Sequence, residues 1–303
     1  MIREFNSLIE LFEAFPDEQA AVDHFTAIRW AGGKFCPHCG GDKIYTFADR
    51  RTHKCCQCRQ RFSIKVGTVF EGTKIPLRKW FVAIWLLTSY KKGIASTQLA
   101  RDIKVTQKTA WFMLHRLRHA ATTKSFNEPL DGTVEVDETY VGGKDRNRHA
   151  SKRTAGRGPK GKAVVFGLLE RGRDLRAFHV PSMKAQGVQF LIAQHVAKGA
   201  NVMTDEHASF VGLQGRYNHH SVNHSAGEYV RHFCIHTNGI EGAWSLLKRQ
   251  IIGIHHWVSE KHLSRYIGEM TWRYNRRGMD EGQRVNALMA GSSGRLRYRE
   301  LIA

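Results

Sequence analysis

The chain changes its hydrophobic periodicity near residue 130. Before this point, apolar residues recur every three or four positions in three blocks: Leu77–Tyr90, Ser96–Asp102 and Gln107–Ala120. This spacing predicts three helices, and the tight connection IKVT joins the last two. A short helix, a turn and a longer basic helix are typical of a helix-turn-helix. A helical module that serves only for packing fits the same pattern.

After residue 130 the pattern predicts strands. The segments TVEVDETYVGG, AVVFGLLERG and DLRAFHVP alternate or run apolar, and the last two are separated by the turn-like RGRD. A helix from Ser182 to about Lys198 follows, then strands in NVMTD and YNHHS and two closing helices. This order predicts an α/β layered domain with an antiparallel start and a parallel strand added through the crossover helix.

Three acids lie at positions of this predicted domain that can converge at one edge of the sheet. Asp137 lies on the first strand, Asp205 ends the strand after the crossover, and Glu241 lies on the polar stripe of the helix in HTNGIEGAWSLLKR. Carboxylates that converge at one sheet edge repel one another unless hard cations neutralise them. Oxygen ligands suit Mg²⁺ or Mn²⁺, and two such ions about 4 Å apart support phosphodiester displacement. Taken alone, each acid is equally consistent with a solvated strand end, a helix cap or a solvent-exposed helix face.

Cysteines cluster in pairs near the N-terminus. Cys36 and Cys39 form one C-x-x-C motif, and Cys55 and Cys58 form a second. Four thiolates at this spacing predict a tetrahedral structural Zn²⁺ site, because they leave no open coordination position for catalysis. The segment has few large apolar residues, so metal binding supplies the missing folding energy. Redox-active or incidental cysteines are the alternative.

The neighbouring cysteines and histidines need separate interpretations. Cys56 replaces Cys55 as a ligand only if the turn formed by the second C-x-x-C motif, its zinc knuckle, is distorted. His38 and His53 are expected to be exposed, although both are possible ligands. Cys234 stands apart from the pairs and is expected to be a small buried side chain.

The charge balance points to a polyanionic partner. Lys and Arg number 47 against 27 Asp and Glu, which gives a formal net charge of +20. Because the basic residues are spread over the whole chain, nucleic acid is favoured over a membrane surface. The most apolar segment, WFVAIWLLTSY, is shorter than the roughly 20 residues that cross a bilayer. No secretory signal is apparent at the N-terminus.

Five motifs occur in one order along the chain: FCPHCGG, VEVDETYVGG, VNHSAGEYV, HTNGIEGAWSLLKR and HLSRYIGEMTWRYNRR. Together they resemble insertion-sequence transposases of the DDE type with an N-terminal zinc ribbon, the ISXO2-like family, over nearly the whole chain. The resemblance implies a ribonuclease-H-like catalytic domain with two divalent ions. It also implies cleavage at transposon ends and transfer of the freed 3′ hydroxyl to target DNA. Double-stranded DNA is the implied partner, and a homo-oligomer is implied in the transposition complex.

Carried over position by position, the resemblance assigns the catalytic acids. Asp137 and Asp205 match the first two acids, and Glu241 matches the third. Asn238 is the alternative third ligand, but a full negative charge binds Mg²⁺ better than an amide dipole. In that case Asn238 orients substrate or a water. DNA contacts are expected from Lys248, Arg249, Thr106, Gln107, Lys108 and His224, although a buried, hydrogen-bonded role for the histidine is also open.

The predicted organisation has three parts. Residues 1–70 form an N-terminal helix and zinc ribbon, residues 71–125 a helix-turn-helix domain, and residues 126–303 the ribonuclease-H-like catalytic domain. A basic stretch at 142–162 is either a phosphate-gripping loop or a solvated linker. We expect a cytoplasmic, nucleoid-associated protein of a prokaryote with no membrane partner. The alternatives are a zinc-ribbon DNA-binding regulator, a nuclease that does not transpose, and an inactive transposase.

Overall fold

A computed structural model describes residues 2–122, 128–143, 149–153 and 161–303. The chain forms two compact units, one of residues 1–122 with 278–303 and the other of residues 123–277. The sequence-based division differs, because it placed 278–303 in the catalytic domain and separated the ribbon from the helices. Most of the basic stretch at 142–162, namely residues 144–148 and 154–160, lies outside the described residues.

The first unit combines helices with a small antiparallel sheet of order β1-β2-β3. Side chains cap several helices, since Ser7, Asp17 and Thr106 each accept a backbone N–H of the first turn that follows. Its elements are α1 (Leu8–Ala14), α2 (Glu18–Arg29), β1 (Ile44–Thr46), β2 (Thr52–Cys55), β3 (Arg61–Ser63), α3 (Leu77–Ser89), α4 (Ser96–Asp102), α5 (Gln107–Ala121), α9 (Glu281–Ala290) and α10 (Tyr298–Ile302).

The three predicted helices α3, α4 and α5 are present within one residue of their expected bounds. The expectation that two helices finish the chain was wrong, because α9 and α10 follow them. Val285, Leu288 and Met289 form the buried face of α9, which packs against α3. Gly282 permits a close approach to the N-terminal segment, since a Cβ there would lie 2.0 Å from the carbonyl oxygen of Phe5.

The second unit is a mixed α/β layer with strand order β6-β5-β4-β7-β8. Strand β4 pairs antiparallel with β5 and parallel with β7, so the predicted antiparallel start and parallel addition are confirmed. Its elements are β4 (Thr133–Val141), β5 (Ala163–Glu170), β6 (Leu175–Val180), α6 (Ala185–His195), β7 (Asn201–Thr204), β8 (Asn218–Ser221), α7 (Asn238–Gln250) and α8 (Glu260–Asn275).

The two faces of this sheet carry different helices. One face buries Val134, Val136 and Phe166 in a cluster that includes residues of α6. The opposite face buries Val165 and Leu169 in a cluster with residues of α7 and α8. Strand β7 pairs with β4 only over 133–135, so β4 continues past the end of its neighbour. The candidate site lies beside the part of β4 that extends past β7, and we call this place the step beside β4.

No helix in the described part of the chain reaches the length and hydropathy that a membrane span requires.

Candidate active site and metal centres

The four paired cysteines gather at one point of the ribbon. The Sγ atoms of Cys36 and Cys58 are 3.6 Å apart, as are those of Cys39 and Cys55. All four sulfur atoms lie within 4.8 Å of one another. The pKa of Cys55 is lowered to about 7, because the backbone N–H of Cys58 donates to its sulfur and favours the thiolate. A closed set of four sulfurs fits a structural Zn²⁺.

The other cysteines and histidines considered as ligands correct two expectations, those for His53 and Cys234, and agree with two, those for Cys56 and His38. Cys56 is exposed and outside the cluster, and His38 is exposed as expected. His53 is buried, not exposed, because its inward position on β2 packs the ring against Trp30 and Phe62. Cys234 is exposed, not buried. The Cys55 pair, without Cys56, therefore forms the second knuckle.

Three carboxylates form a second cluster at the step beside β4. Oxygen atoms of Asp137, Glu138 and Asp205 lie within 4.8 Å of one another. The first two are consecutive on β4, and Asp205 follows β7, whose parallel pairing with β4 brings the strand ends together. The structure thus joins the two acids that the sequence singled out and adds Glu138.

Burial and mutual repulsion disfavour the charged forms of these carboxylates. Burial, then Glu138 and Asp205, raise the pKa of Asp137 to about 8, and Glu241 acts in the same direction. The pKa of Glu138 is also raised, first by burial and then by Asp205. Its Oε2 atom is buried and accepts no hydrogen bond from any residue that the structure describes. Such uncompensated oxygens fit a hard divalent cation.

Helix α7 packs directly against Asp137. The indole Nε1 of Trp244 donates to Oδ2 of Asp137 at 3.0 Å. Asp137 pairs with Gly167 across the β4–β5 ladder. A Cβ on Gly167 would lie 2.4 Å from the Trp244 ring, so only glycine lets this ring reach the strand. The carboxylate of Asp137 therefore has a fixed orientation.

Glu135 anchors the start of α7 to the sheet. It is 1% exposed, and its Oε2 accepts the backbone N–H of Ile240 at 2.9 Å. Its Oε1 accepts Nε of Arg171 at 2.7 Å, and Arg171 also donates to the carbonyls of Cys234 and His236. A Cβ on residue 239 would lie 2.8 Å from the Glu135 carboxylate, so Gly239 permits the contact.

Glu241 lies beside the carboxylate cluster, on the first turns of α7. Its Oε1 accepts the hydroxyl of Thr237 at 2.9 Å and lies 3.7 Å from Nε2 of His224. It is near enough to raise the pKa of Asp137, although it is not one of the three acids within 4.8 Å. Asn238 is exposed at the first position of the helix. The ligand choice between Asn238 and Glu241 stays a prediction.

A neighbouring acid holds the loop that carries His224. The carboxylate of Glu206 accepts the backbone N–H groups of His224 at 2.8 Å and Ser225 at 3.1 Å, and also the Ser225 hydroxyl. Glu206 follows Asp205 in the chain, so the second strand acid and this loop are fixed together. The imidazole of His224 is partly buried and faces Glu241 without a hydrogen bond from Nε2.

The predicted DNA-contacting residues lie on two separate units. Lys248 and Arg249 are exposed in the last turn of α7. Thr106, Gln107 and Lys108 are exposed where α5 begins. Their DNA-contacting role stays a prediction.

Sequence reasoning missed the acids that support the site. Glu135, Glu138 and Glu206 each stand within two residues of an acid that it selected. The alternation of β4 was a usable signal, because Glu135 and Asp137 share a face and an inward acid at a core position requires a partner. Long-range partners such as Arg171 had no such signal.

Comparisons with known proteins agree with these two clusters. The model of the ISXO2-like transposase domain matches residues 129–275, and that of the transposase zinc-ribbon domain matches residues 16–61. An uncharacterized protein in transposable element ISH50 of Halobacterium salinarum is 30% identical over 272 residues, covering 84% of this chain and 90% of that protein.

Among solved structures, a pre-cleavage Mos1 transpososome is similar at 11% identity and a TM-score of 0.25, over 72% of this chain and 80% of that one. A likeness of this size supports no conclusion about this chain. The domain matches and the full-length relative carry the assignment. The chain belongs to the ISXO2-like family of DDE transposases that have an N-terminal zinc ribbon.

Proposed function

We propose that this protein cuts DNA at transposon ends and joins the freed 3′ hydroxyl to target DNA, using a ribonuclease-H-like domain. The observation that carries the proposal is the meeting of Asp137, Glu138 and Asp205 at one sheet edge beside α7. The antiparallel start and parallel continuation of the sheet support the ribonuclease-H-like assignment. A solvated strand end does not account for half-buried acids whose pKa values are raised.

The carboxylates have the oxygen donors that Mg²⁺ or Mn²⁺ prefers. We assign Asp137, Asp205 and Glu241 as ligands of two ions, with Glu138 as an additional oxygen donor. Such ions activate an attacking oxygen and stabilise a leaving oxygen in phosphodiester displacement. Asn238, one turn before Glu241, orients the substrate or a water. Zn²⁺ in the cysteine cluster has a structural role only.

The remaining contacts of the site hold these acids in place. Trp244 orients Asp137 through its indole N–H. Glu135 fixes the start of α7, which carries Asn238 and Glu241. His224 faces Glu241 from a loop tied down by Glu206 and is assigned to contact the DNA beside the scissile phosphate.

DNA binding is assigned to both units. Helices α4 and α5 with their tight connection support a helix-turn-helix, with Thr106, Gln107 and Lys108 at the exposed helix start that approaches DNA. Lys248 and Arg249 contact the backbone near the cut. The excess of 47 basic over 27 acidic residues supports double-stranded DNA as the partner. We assign a homo-oligomer to the transposition complex and a cytoplasmic, nucleoid-associated location to the protein.

The test uses a donor plasmid that carries the gene with its flanking DNA. Asp137→Asn and Asp205→Asn are each expected to lower cutting and joining by on the order of a thousandfold, because a lost ligand charge removes metal-based stabilisation of the transition state. Zinc content and DNA binding are expected to be unchanged. Asp174→Asn, at an exposed acid in the β5–β6 turn, is the matched control and is expected to retain activity.

Three results would contradict the proposal. Joining that persists in either site variant removes the acids from the reaction. DNA that is cut but never joined indicates a nuclease that does not transpose. DNA that is bound but never cut by the wild-type protein indicates a regulator.

A further inference from the structure

A cavity lies in the second unit, next to the candidate site. Its volume is about 460 Å³, within the roughly 300–1,000 Å³ of small-molecule sites. It lies between the end of β4, the end of α7 and the segment that follows α7. Its lining includes Tyr140, Lys162, Lys248, Ile252, Trp257 and Val258.

The lining combines positive charge with an accessible aromatic ring. It includes two lysines, and among the described lining residues there is no acid. Trp257 is 68% exposed, as is Ile252, which is unusual for side chains of this size. A large exposed indole next to ammonium groups is the combination that binds unpaired nucleotides, since the ring stacks on a base and the lysines meet phosphates.

A strained segment holds Trp257 in this position. Helix α7 passes into a π-helical turn at Ile251–His255, and His256 then adopts a φ of 60°. A tight turn follows, in which the backbone N–H of Trp257 donates to the carbonyl of His255 at 2.6 Å. Non-glycine residues at positive φ and π-helical turns are both uncommon and costly, and they are frequently found at functional sites.

The cavity adjoins the carboxylates through two elements. Tyr140 lies two residues after Glu138 on β4, so the two side chains lie on the same face of the strand. Lys248 stands seven residues after Glu241 on α7, which is about 10 Å along the helix axis. A DNA strand whose phosphate lies at the acids therefore has its next nucleotides within reach of the cavity.

We infer that this cavity binds one unpaired nucleotide of the DNA end, with its base against Trp257 and its phosphate near Lys248 and Lys162. A base inside a duplex is covered on both faces by its neighbours, so it cannot stack on this ring unless it leaves the helix. The inference rests on the proposed function, because that reaction creates DNA ends beside the acids. It adds a nucleotide subsite to the cutting site.

Full-length, zinc-loaded protein is tested without added Mg²⁺ or Mn²⁺, so that only binding is measured. The probes are a fluorescein-labelled duplex of about 20 base pairs with blunt ends and the same duplex with a short unpaired thymidine tail at one 3′ end. The wild-type protein is expected to bind the tailed duplex about fivefold or more tightly than the blunt one, as stacking on one aromatic ring predicts.

Variants separate stacking from general attraction. Trp257→Ala is expected to remove the preference for the tail, and Trp257→Phe is expected to keep most of it. Lys248→Ala is expected to weaken both probes. Phe190→Ala is the matched control, since Phe190 is 61% exposed on α6 and does not line the cavity. The control is expected to keep the wild-type preference.

Equal binding of the two probes by the wild-type protein, or a preference that survives Trp257→Ala, would overturn the inference. Sedimentation velocity examines the alternative occupant, a second copy of the chain. Fewer oligomers in Trp257→Ala with an unchanged tail preference would also overturn it. Asp137→Asn is expected to keep the preference while losing cutting, so failure of the proposed reaction is distinguishable from failure of this subsite.

Discussion

The two metal-ligand clusters differ in how their ligands are assembled. The thiolates come from two short knuckles of one small sheet, and the ribbon itself brings them together. The carboxylates come from β4 and from the residue after β7, and their supports come from β4, α7 and the β5–β6 turn. The first set is closed, whereas the second has an uncompensated buried oxygen. Local spacing thus assembles the cysteine cluster, whereas long-range packing assembles the carboxylate cluster.

The largest effect is expected when one ligand is removed from the four-cysteine cluster, which we call the closed cluster. Cys39→Ser is expected to abolish zinc binding, measured as metal content by mass spectrometry, because three thiolates hold the ion poorly. The ribbon sheet is expected to unfold, since its buried core is small. Cys56→Ser is the control, because this neighbouring thiol is exposed and outside the cluster. Full zinc content in Cys39→Ser would remove that residue from the ligand set.

The next largest effect distinguishes Glu241 from Asn238 as the third ligand of the carboxylate cluster, which we call the open cluster. Glu241→Gln is expected to lower the cleavage rate by on the order of a thousandfold, because it removes a ligand charge. Asn238→Ala is expected to lower it by about 10- to 100-fold, as loss of an orienting group does. The rates are measured on the donor plasmid at saturating Mn²⁺. The opposite order would make Asn238 the ligand.

How far the sequence predicts these clusters follows from the same difference. The C-x-x-C spacing alone identifies the four cysteines, and strand order alone brings Asp137 and Asp205 to one edge. The anchoring of α7 by Glu135 and Arg171 was not predictable, because it depends on how a helix docks on a sheet. Helix α9 was not predicted, and neither was its packing against the N-terminal helices, since periodicity does not identify the partner of a buried face. The burial of His53 was not predicted either, because its position next to the cysteine pairs suggested a possible metal ligand, whereas its ring packs inside the ribbon.

A smaller effect is expected when the packing of α7 against the open cluster is disturbed. Gly167→Ala is expected to lower the free energy of unfolding by about 1–3 kcal/mol, because the added methyl displaces the Trp244 ring that holds Asp137. Cleavage is expected to fall with it, whereas zinc content stays full. Gly187→Ala is the control, since nothing lies within 4 Å of its Cβ position on α6. Equal effects of the two changes in chemical denaturation would refute the packing argument.

The smallest effect is a pH dependence confined to the open cluster. Folded protein without Mg²⁺ keeps Asp137 protonated up to its pKa of about 8, whereas the unfolded chain releases that proton near the ordinary aspartate pKa of 3.8. The unfolded state therefore binds fewer protons between these values, and the free energy of unfolding falls as pH rises, by about 1 kcal/mol per pH unit after allowance for partial exposure.

Urea denaturation at several pH values between about 5 and 8 measures this slope. Asp137→Asn is expected to flatten it, because the asparagine does not titrate. Added Mn²⁺ is expected to stabilise the protein more as pH rises, since binding requires the ionised carboxylates. Identical slopes for the wild type and Asp137→Asn would show that another group is responsible.

The central claim is that acids from distant parts of the chain meet at one place and bind divalent cations there. Replacing Mg²⁺ by Fe²⁺ with ascorbate and peroxide generates hydroxyl radicals at the ion, and these cleave the nearby backbone. The account predicts fragments that end close to Asp137, Asp205 and Glu241, suppressed by excess Mg²⁺ and lost in Asp205→Asn. Fragments that avoid Asp137 and Asp205, or a pattern unchanged in Asp205→Asn, would contradict it.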